Sequence, residues 1–345
     1  MKALVLEEKD KLQIRDIVIE EELGPNDVRI RIANVGVCGS DVHYYKHGRI
    51  GDFIVNEPMV LGHEASGVIA EVGSNVKHLK AGDRVAMEPG IFDPNSPEAM
   101  QGNYHLDPGI RFWATPPIHG VLRESVVHPA SLTFKLPDNV SLEEAVLAEP
   151  LTSGTHVARK VGIAPGDTAV VTGAGTIGSL MALALLASGC SRVIITDVKQ
   201  EKLDFLSEHY GDRLITCNVA KADLKEFVGQ HFPNGADLFV DCSGNAKAIA
   251  AAPHCLRPAG KLVFVGMPQD LVPMDIVAMQ VKEIETVGIF RYANDYERSI
   301  ALIASGQINV KPLISRRYAF KDSIEAFDLA ASAQPDVIKV LIDVQ

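Results

Sequence analysis

Apolar and polar residues alternate through Val28-Arg29-Ile30-Arg31-Ile32, the two-residue period of a strand with one buried face. Residues 68–72 and 84–87 read as further short strands, and Gly73-Ser74 and Ala81-Gly82-Asp83 supply turn chemistry between them. The first part of the chain is therefore predicted to be β-rich. After about Pro150 the pattern changes. Thr168–Thr172 reads as a buried strand, Thr176–Ser188 as a helix rich in Ala and Leu, and Arg192–Asp197 as the next strand. Residues 201–210 are predicted helical, and 237–241 and 261–265 are predicted strands. Strands and helices that alternate in this way imply a parallel sheet covered on both faces. The C-terminal stretch is mixed and closes with a strand over 337–342, which is expected to rejoin the first domain. The predicted fold class is α/β: a Rossmann-type, doubly wound parallel-sheet domain over 153–289, and a β-rich domain built from 1–152 and 290–345. The cleft is expected between the two.

Length supports that division, since 345 residues exceed what one hydrophobic core usually holds. A net charge of −11 argues against a general nucleic-acid binder, which needs a basic footprint. Met1 to Leu6 is apolar, but Glu7, Glu8 and Asp10 follow at once, so no secretory leader is expected. The most apolar stretch, 180–187, is too short to span a bilayer. The five cysteines are widely spaced and odd in number, which points to a reduced, cytoplasmic protein rather than a disulfide framework. The expected partners include neither nucleic acid nor membrane.

Two segments carry chemistry. The first is Val170-Val171-Thr172-Gly173-Ala174-Gly175-Thr176-Ile177-Gly178, which follows a predicted strand and opens a predicted helix, as a dinucleotide fingerprint must. Gly173 is read as the tight turn, Gly175 as the approach point for the pyrophosphate, and Gly178 as the site of close helix–strand packing. Thr176 and Ile177 sit at the helix N-terminus, where an anion is favoured. Asp197, at the end of the next strand, is placed to accept hydrogen bonds from the adenosine ribose, which favours NAD over NADP. Lys199 and Lys202 follow and leave room for some NADP tolerance.

The second segment pairs Cys38 with Gly62-His63-Glu64. A thiolate, an imidazole and a carboxylate are a donor set for an open zinc site, in which a fourth position stays free. Either residue alone would be unremarkable, Cys38 as a buried inert thiol and His63 as a satisfied core histidine. Together with the dinucleotide fingerprint they suggest oxidation of an alcohol.

Cys38-Gly39-Ser40-Asp41-Val42-His43 and Gly62-His63-Glu64-Ala65-Ser66-Gly67 resemble the zinc-site segments of the zinc-dependent medium-chain alcohol dehydrogenases. The resemblance covers essentially the whole chain and narrows to the sorbitol/xylitol dehydrogenase branch. It does so through His47-Gly48-Arg49-Ile50-Gly51-Asp52-Phe53, Ala114-Thr115-Pro116-Pro117, Glu149-Pro150-Leu151 and Phe290-Arg291-Tyr292. It implies a GroES-like catalytic domain beside the Rossmann domain. It implies Cys38, His63 and Glu64 as direct metal ligands, Glu149 as a ligand acting through water, and Asp41 as the carboxylate behind His63. Ser40 and His43 would form the proton relay, and Tyr44, Phe112, Arg291 and Tyr292 would meet the substrate. The alcohol oxygen would take the open zinc position and hydride would pass to C4 of nicotinamide.

One departure stands out. Many relatives hold a second, structural zinc with four cysteines, but 90–112 contains none here, so one catalytic zinc per subunit is expected. The expected activity is NAD-dependent oxidation of a polyol such as xylitol or sorbitol to the ketose. A threonine or butanediol dehydrogenase is the alternative within the superfamily. A non-catalytic dinucleotide-binding relative or a zinc-free quinone reductase is the alternative of a different class. The resemblance also implies a homo-oligomer, with a tetramer favoured over a dimer, and residues 284–289 as a candidate interface strand.

Overall fold

The structure, a computed structural model, describes residues 1–345. The chain forms two compact units, residues 1–149 with 296–345, and residues 150–295. The division falls at 149/150 and 295/296 rather than at the expected 152/153 and 289/290. Residues 150–152 continue the helix Ala148–Val161. Asp295 is bound to that same helix, with its carboxylate 3.0 Å from His156 Nδ1 and 2.9 Å from Arg159 Nη2. Arg291 and Tyr292 therefore belong to the second unit, not the first.

The first unit is built on a seven-stranded sheet. Its path runs Thr133–Lys135, Arg84–Met87, Glu64–Val72, Asp27–Gly36, Lys339–Asp343 and Ile314–Ala319, with Ser125–Pro129 also paired to Asp27–Gly36. All pairs are antiparallel except the last two strands on the path. The alternation at 28–32 does what it predicted: Val28, Ile30 and Ile32 are buried in the core, and Arg29 points outward to Glu71 at 3.0 Å. Each such aliphatic side chain stabilises the fold by roughly 1.5–3 kcal/mol. The C-terminal strand begins at Lys339 rather than at 337, because the Ile338 N–H donates to Ser315 Oγ at 2.8 Å. It lies in this sheet, beside Asp27–Gly36.

The cysteine-free lobe at 90–112 is tied by polar and aromatic contacts. Asp107 accepts from the Asp93 and Gly109 amides at 2.8 Å each. Phe92 stacks on Tyr104 with ring centroids 4.3 Å apart, and the Tyr104 hydroxyl donates to Glu88 at 2.8 Å.

The second unit carries six parallel strands in the order Leu214–Asn218, Arg192–Asp197, Thr168–Thr172, Ala236–Asp241, Leu256–Phe264 and Glu285–Gly288. Strand order reverses between Thr168–Thr172 and Ala236–Asp241, where doubly wound sheets open a ligand crevice. Glu285–Gly288 is an edge strand, within the expected 284–289. The helix Thr176–Ser188 is buried from Gly178 to Leu185, which explains why its sequence is apolar on every side. No helix is long and apolar enough to cross a membrane.

Candidate metal and dinucleotide sites

Cys38 ends the loop after the Asp27–Gly36 strand and caps the helix Gly39–His47. His63 and Glu64 stand at the start of the Glu64–Val72 strand. One carboxylate joins the two segments. Asp41 accepts from the Cys38 amide at 3.2 Å and from the Gly62 amide at 2.9 Å, and lies 3.6 Å from His63 Nδ1. Gly62 has φ +90°, and a Cβ there would press on Leu122 and Val35 at 2.9 Å each, so glycine is required.

The ligand atoms of Cys38, His63 and Glu64 all lie within 4.8 Å of one another. His63 Nδ1 is buried with no hydrogen-bond partner apart from the long approach to Asp41. With Nδ1 turned to Asp41, Nε2 is the ring nitrogen left for the ligand group. Burial disfavours a charged His63, yet Asp41 and Cys38 outweigh it and raise its pKa well above the usual histidine value. The pocket thus attracts positive charge. A sulfur, nitrogen and oxygen set of this kind fits zinc.

The other expected residues are placed as follows. Ser40 and His43 are half-buried on the Gly39–His47 helix, at the i, i+3 spacing that makes them neighbours. Burial, then the charge of His47, lowers the pKa of His43 below the usual value. Phe112 is buried with its ring centroid 5.7 Å from that of His63. Glu149 is buried but stands outside the group of three ligand atoms. Tyr44 is 3% exposed and packs with the first unit's core. In the second unit Tyr292 is also buried, and the Arg291 guanidinium lies 4.8 Å over the Phe290 ring. Arg291 has φ +56°, a left-handed backbone that a non-glycine residue seldom adopts and that clusters at functional sites.

The dinucleotide segment has the form its glycines predict. Gly173 turns with φ +91°. Gly175 precedes the helix and has open space where a Cβ would stand, so a ligand can approach its backbone. A Cβ at Gly178 would overlap the Gly173 carbonyl oxygen. Thr176 and Ile177 are half-buried in the first turn, and Lys202 is half-buried on the helix Gln200–Tyr210. Asp197 accepts from the Ala174 amide at 2.8 Å and the Lys199 amide at 2.9 Å, which locks its carboxylate at the strand end. It lines a cleft of about 870 Å³ together with Gly173, Val198, Asp223, Ser243 and Asn245.

Comparison with known proteins fits this geometry. Residues 24–138 match the profile described as alcohol dehydrogenase GroES-like domain, and 176–305 match that described as zinc-binding dehydrogenase. The chain is 54% identical to D-xylulose reductase of Morganella morganii, over 96% of this chain and 98% of the relative. The chain belongs to the zinc-dependent medium-chain dehydrogenases, in their polyol dehydrogenase branch. Human sorbitol dehydrogenase is 40% identical over 94% of this chain and 91% of its own. The crystal structure of 2R,3R-butanediol dehydrogenase from Bacillus subtilis superposes with a TM-score of 0.90 at 28% identity, covering 100% of this chain and 99% of that one. Membership of this family brings a catalytic zinc and a nicotinamide dinucleotide, and both donor sets are present.

Further residues at the two candidate sites belong to no motif in the sequence. Lys339 is 2% exposed, and its ammonium donates to both Glu64 oxygens at 2.8 and 2.6 Å and to the Val37 carbonyl at 3.2 Å. Gly36 lies opposite Glu64 in the sheet, and a Cβ there would overlap Glu64 Oε2. The signal for Lys339 was a lone cation inside the apolar strand Val337-Ile338-Lys339-Val340-Leu341-Ile342. In the second unit, buried Asp241 accepts from Thr172 Oγ1 at 2.7 Å and from the Ser243 and Gly244 amides at 3.1 and 3.0 Å. It fixes the loop that presents Ser243 and Asn245 to the cleft.

Proposed function

We propose that the chain oxidises a polyol such as xylitol or sorbitol to the corresponding ketose, reversibly, with NAD as hydride acceptor. The observation that carries this reading is the grouping of a thiol, an imidazole and a carboxylate within 4.8 Å, with Asp41 behind the imidazole. When bound, zinc acidifies an alcohol hydroxyl and NAD accepts the hydride. Cys38, His63 and Glu64 hold the metal, one per chain, and the 90–112 lobe holds none. Asp41 orients His63. Ser40 takes the hydroxyl proton and His43 passes it to solvent, since a hydroxyl both donates and accepts and a neutral imidazole accepts. Glu149 acts through a water. The products are a carbonyl, NADH and one proton.

Gly173, Gly175, Thr176, Ile177 and Gly178 receive the pyrophosphate. Asp197 selects NAD by bonding the adenosine ribose and repelling a 2′-phosphate, while the Lys202 cation nearby leaves room for some NADP tolerance. Tyr44, Phe112, Arg291 and Tyr292 recognise the polyol, by resemblance to the branch. The protein acts in the cytoplasm, in keeping with five free cysteines. It forms a homo-oligomer, a tetramer in preference to a dimer, in which the edge strand Glu285–Gly288 pairs between copies. Edge strands are templates for such pairing. Exposed Ile276, Val277 and Val281 on the adjacent helix Ile276–Lys282 supply apolar area beside it.

The test is NAD reduction with xylitol, sorbitol, L-arabinitol, galactitol, threonine and 2,3-butanediol, alongside zinc analysis and a chelator. Chelator-sensitive turnover of a polyol is expected. Turnover of threonine or butanediol alone would keep the metal chemistry and overturn the substrate assignment. Cys38→Ser should lose zinc and turnover while still binding NAD.

A further inference from the structure

Lys339 and Glu64 are both buried, at 2% and 1% exposure, and the ammonium spends its three protons on the two Glu64 oxygens and the Val37 carbonyl. The pair is made possible by topology. Glu64 begins the strand on one side of Asp27–Gly36, Lys339 begins the strand on the other side, and Gly36 between them has no side chain to block the reach. A buried ion pair of this kind adds little net stability over an apolar pair, so stability alone does not account for it.

We propose that Lys339 is a positioning residue of the metal centre: it holds Glu64 in place as an internal counter-cation, competes with the metal for that carboxylate, and so weakens metal binding. The inference rests on the reading that Cys38, His63 and Glu64 hold zinc. One thiolate and one carboxylate together neutralise a dication, and Lys339 returns one positive charge to the pocket. That charge opposes the metal electrostatically and leaves the centre better able to acidify an alcohol. Before metal arrives, the same ammonium keeps the Glu64 carboxylate fixed beside the Cys38 sulfur.

The experiment measures zinc affinity by competition with a chromophoric chelator on the full-length protein and on K339M, K339Q and K339R. The neutral variants are expected to hold zinc at least about tenfold more tightly, a modest value for one unit charge removed beside a dication. K339R should stay within about threefold of the parent, because the charge remains. If K339M does not fold, K339Q, whose amide still donates to Glu64, decides the matter. Zinc affinity unchanged or weakened in the neutral variants overturns the inference, as does tighter binding by K339R equal to theirs. A parent chain that binds no zinc, or C38S that keeps it, overturns the metal reading itself. Zinc held through Cys38 but indifferent to residue 339 overturns only the role of Lys339.

Discussion

At the scale of single residues, the site is set by a few side chains with no freedom to change. Gly36→Ala would drive a Cβ into Glu64 Oε2 and to 2.9 Å from Val146 Cγ1. Overpacking of this order costs about 1–3 kcal/mol, and displacement of Glu64 should lower zinc content, which metal analysis and thermal melting together would reveal. Asp197→Ala should weaken NAD more than NADP; an unchanged ratio of the two KM values would remove Asp197 from cofactor selection. His43 has its pKa lowered by burial and by His47. Its neutral, proton-accepting form therefore persists as pH falls below about 6.5, and the acid limb of kcat should lie on the acidic side of that value. His43→Gln should reduce kcat by roughly 10²-fold and abolish the limb; a change in KM alone would contradict the relay. Cys38, His63 and Glu64 were legible in the sequence because metal-ligand types stood in two short segments. Lys339 was not, because 275 residues separate it from Glu64 and only strand pairing brings them together.

At the scale of elements, punctuation decided what could be read. The helix Thr176–Ser188 and the strand Thr168–Thr172 have the predicted bounds, since glycines mark the turn between them and Gly189 ends the helix. The helix Gly39–His47 carries no apolar period, because it buries Asp41, Tyr44 and Tyr45. Its capping by Asp41 onto the Cys38 amide is a feature of the fold, not of the hydrophobic pattern. The strand Ser125–Pro129 carries a titration that should show in stability. His128 is fully buried against Trp113, bonded to the Glu88 carbonyl at 2.9 Å, and burial lowers its pKa to about 3. The unfolded chain binds that proton near pH 6.5 and the folded chain does not until about pH 3. Stability contributed by neutral His128 is thus lost as pH falls through that window, by about 2 kcal/mol between pH 6.5 and 5. Denaturation midpoints for the parent and His128→Gln should diverge in slope over that range; parallel slopes would exclude His128 as the cause.

At the scale of the whole molecule, the proposed oligomer makes a direct prediction. Thr286→Lys with Val287→Lys places like charges along the free edge and should halve the assembly by light scattering, a tetramer to dimers or a dimer to monomers. A parent chain that is itself monomeric would end the proposal. The sequence by itself determined that there are two units, that the second is a doubly wound parallel sheet, and which residues have the chemistry for zinc and a dinucleotide. These follow from local periodicity, glycine turns and donor types, all encoded within short windows. Tertiary structure alone decided that the units divide at 149/150 and 295/296, since the helix Ala148–Val161 and its bonds to Asp295 cross the apparent boundaries. It alone placed the C-terminal Lys339 beside Glu64, because strand order brings chain ends together regardless of their distance in sequence, and a buried cation is intelligible only once the carboxylate it meets is known.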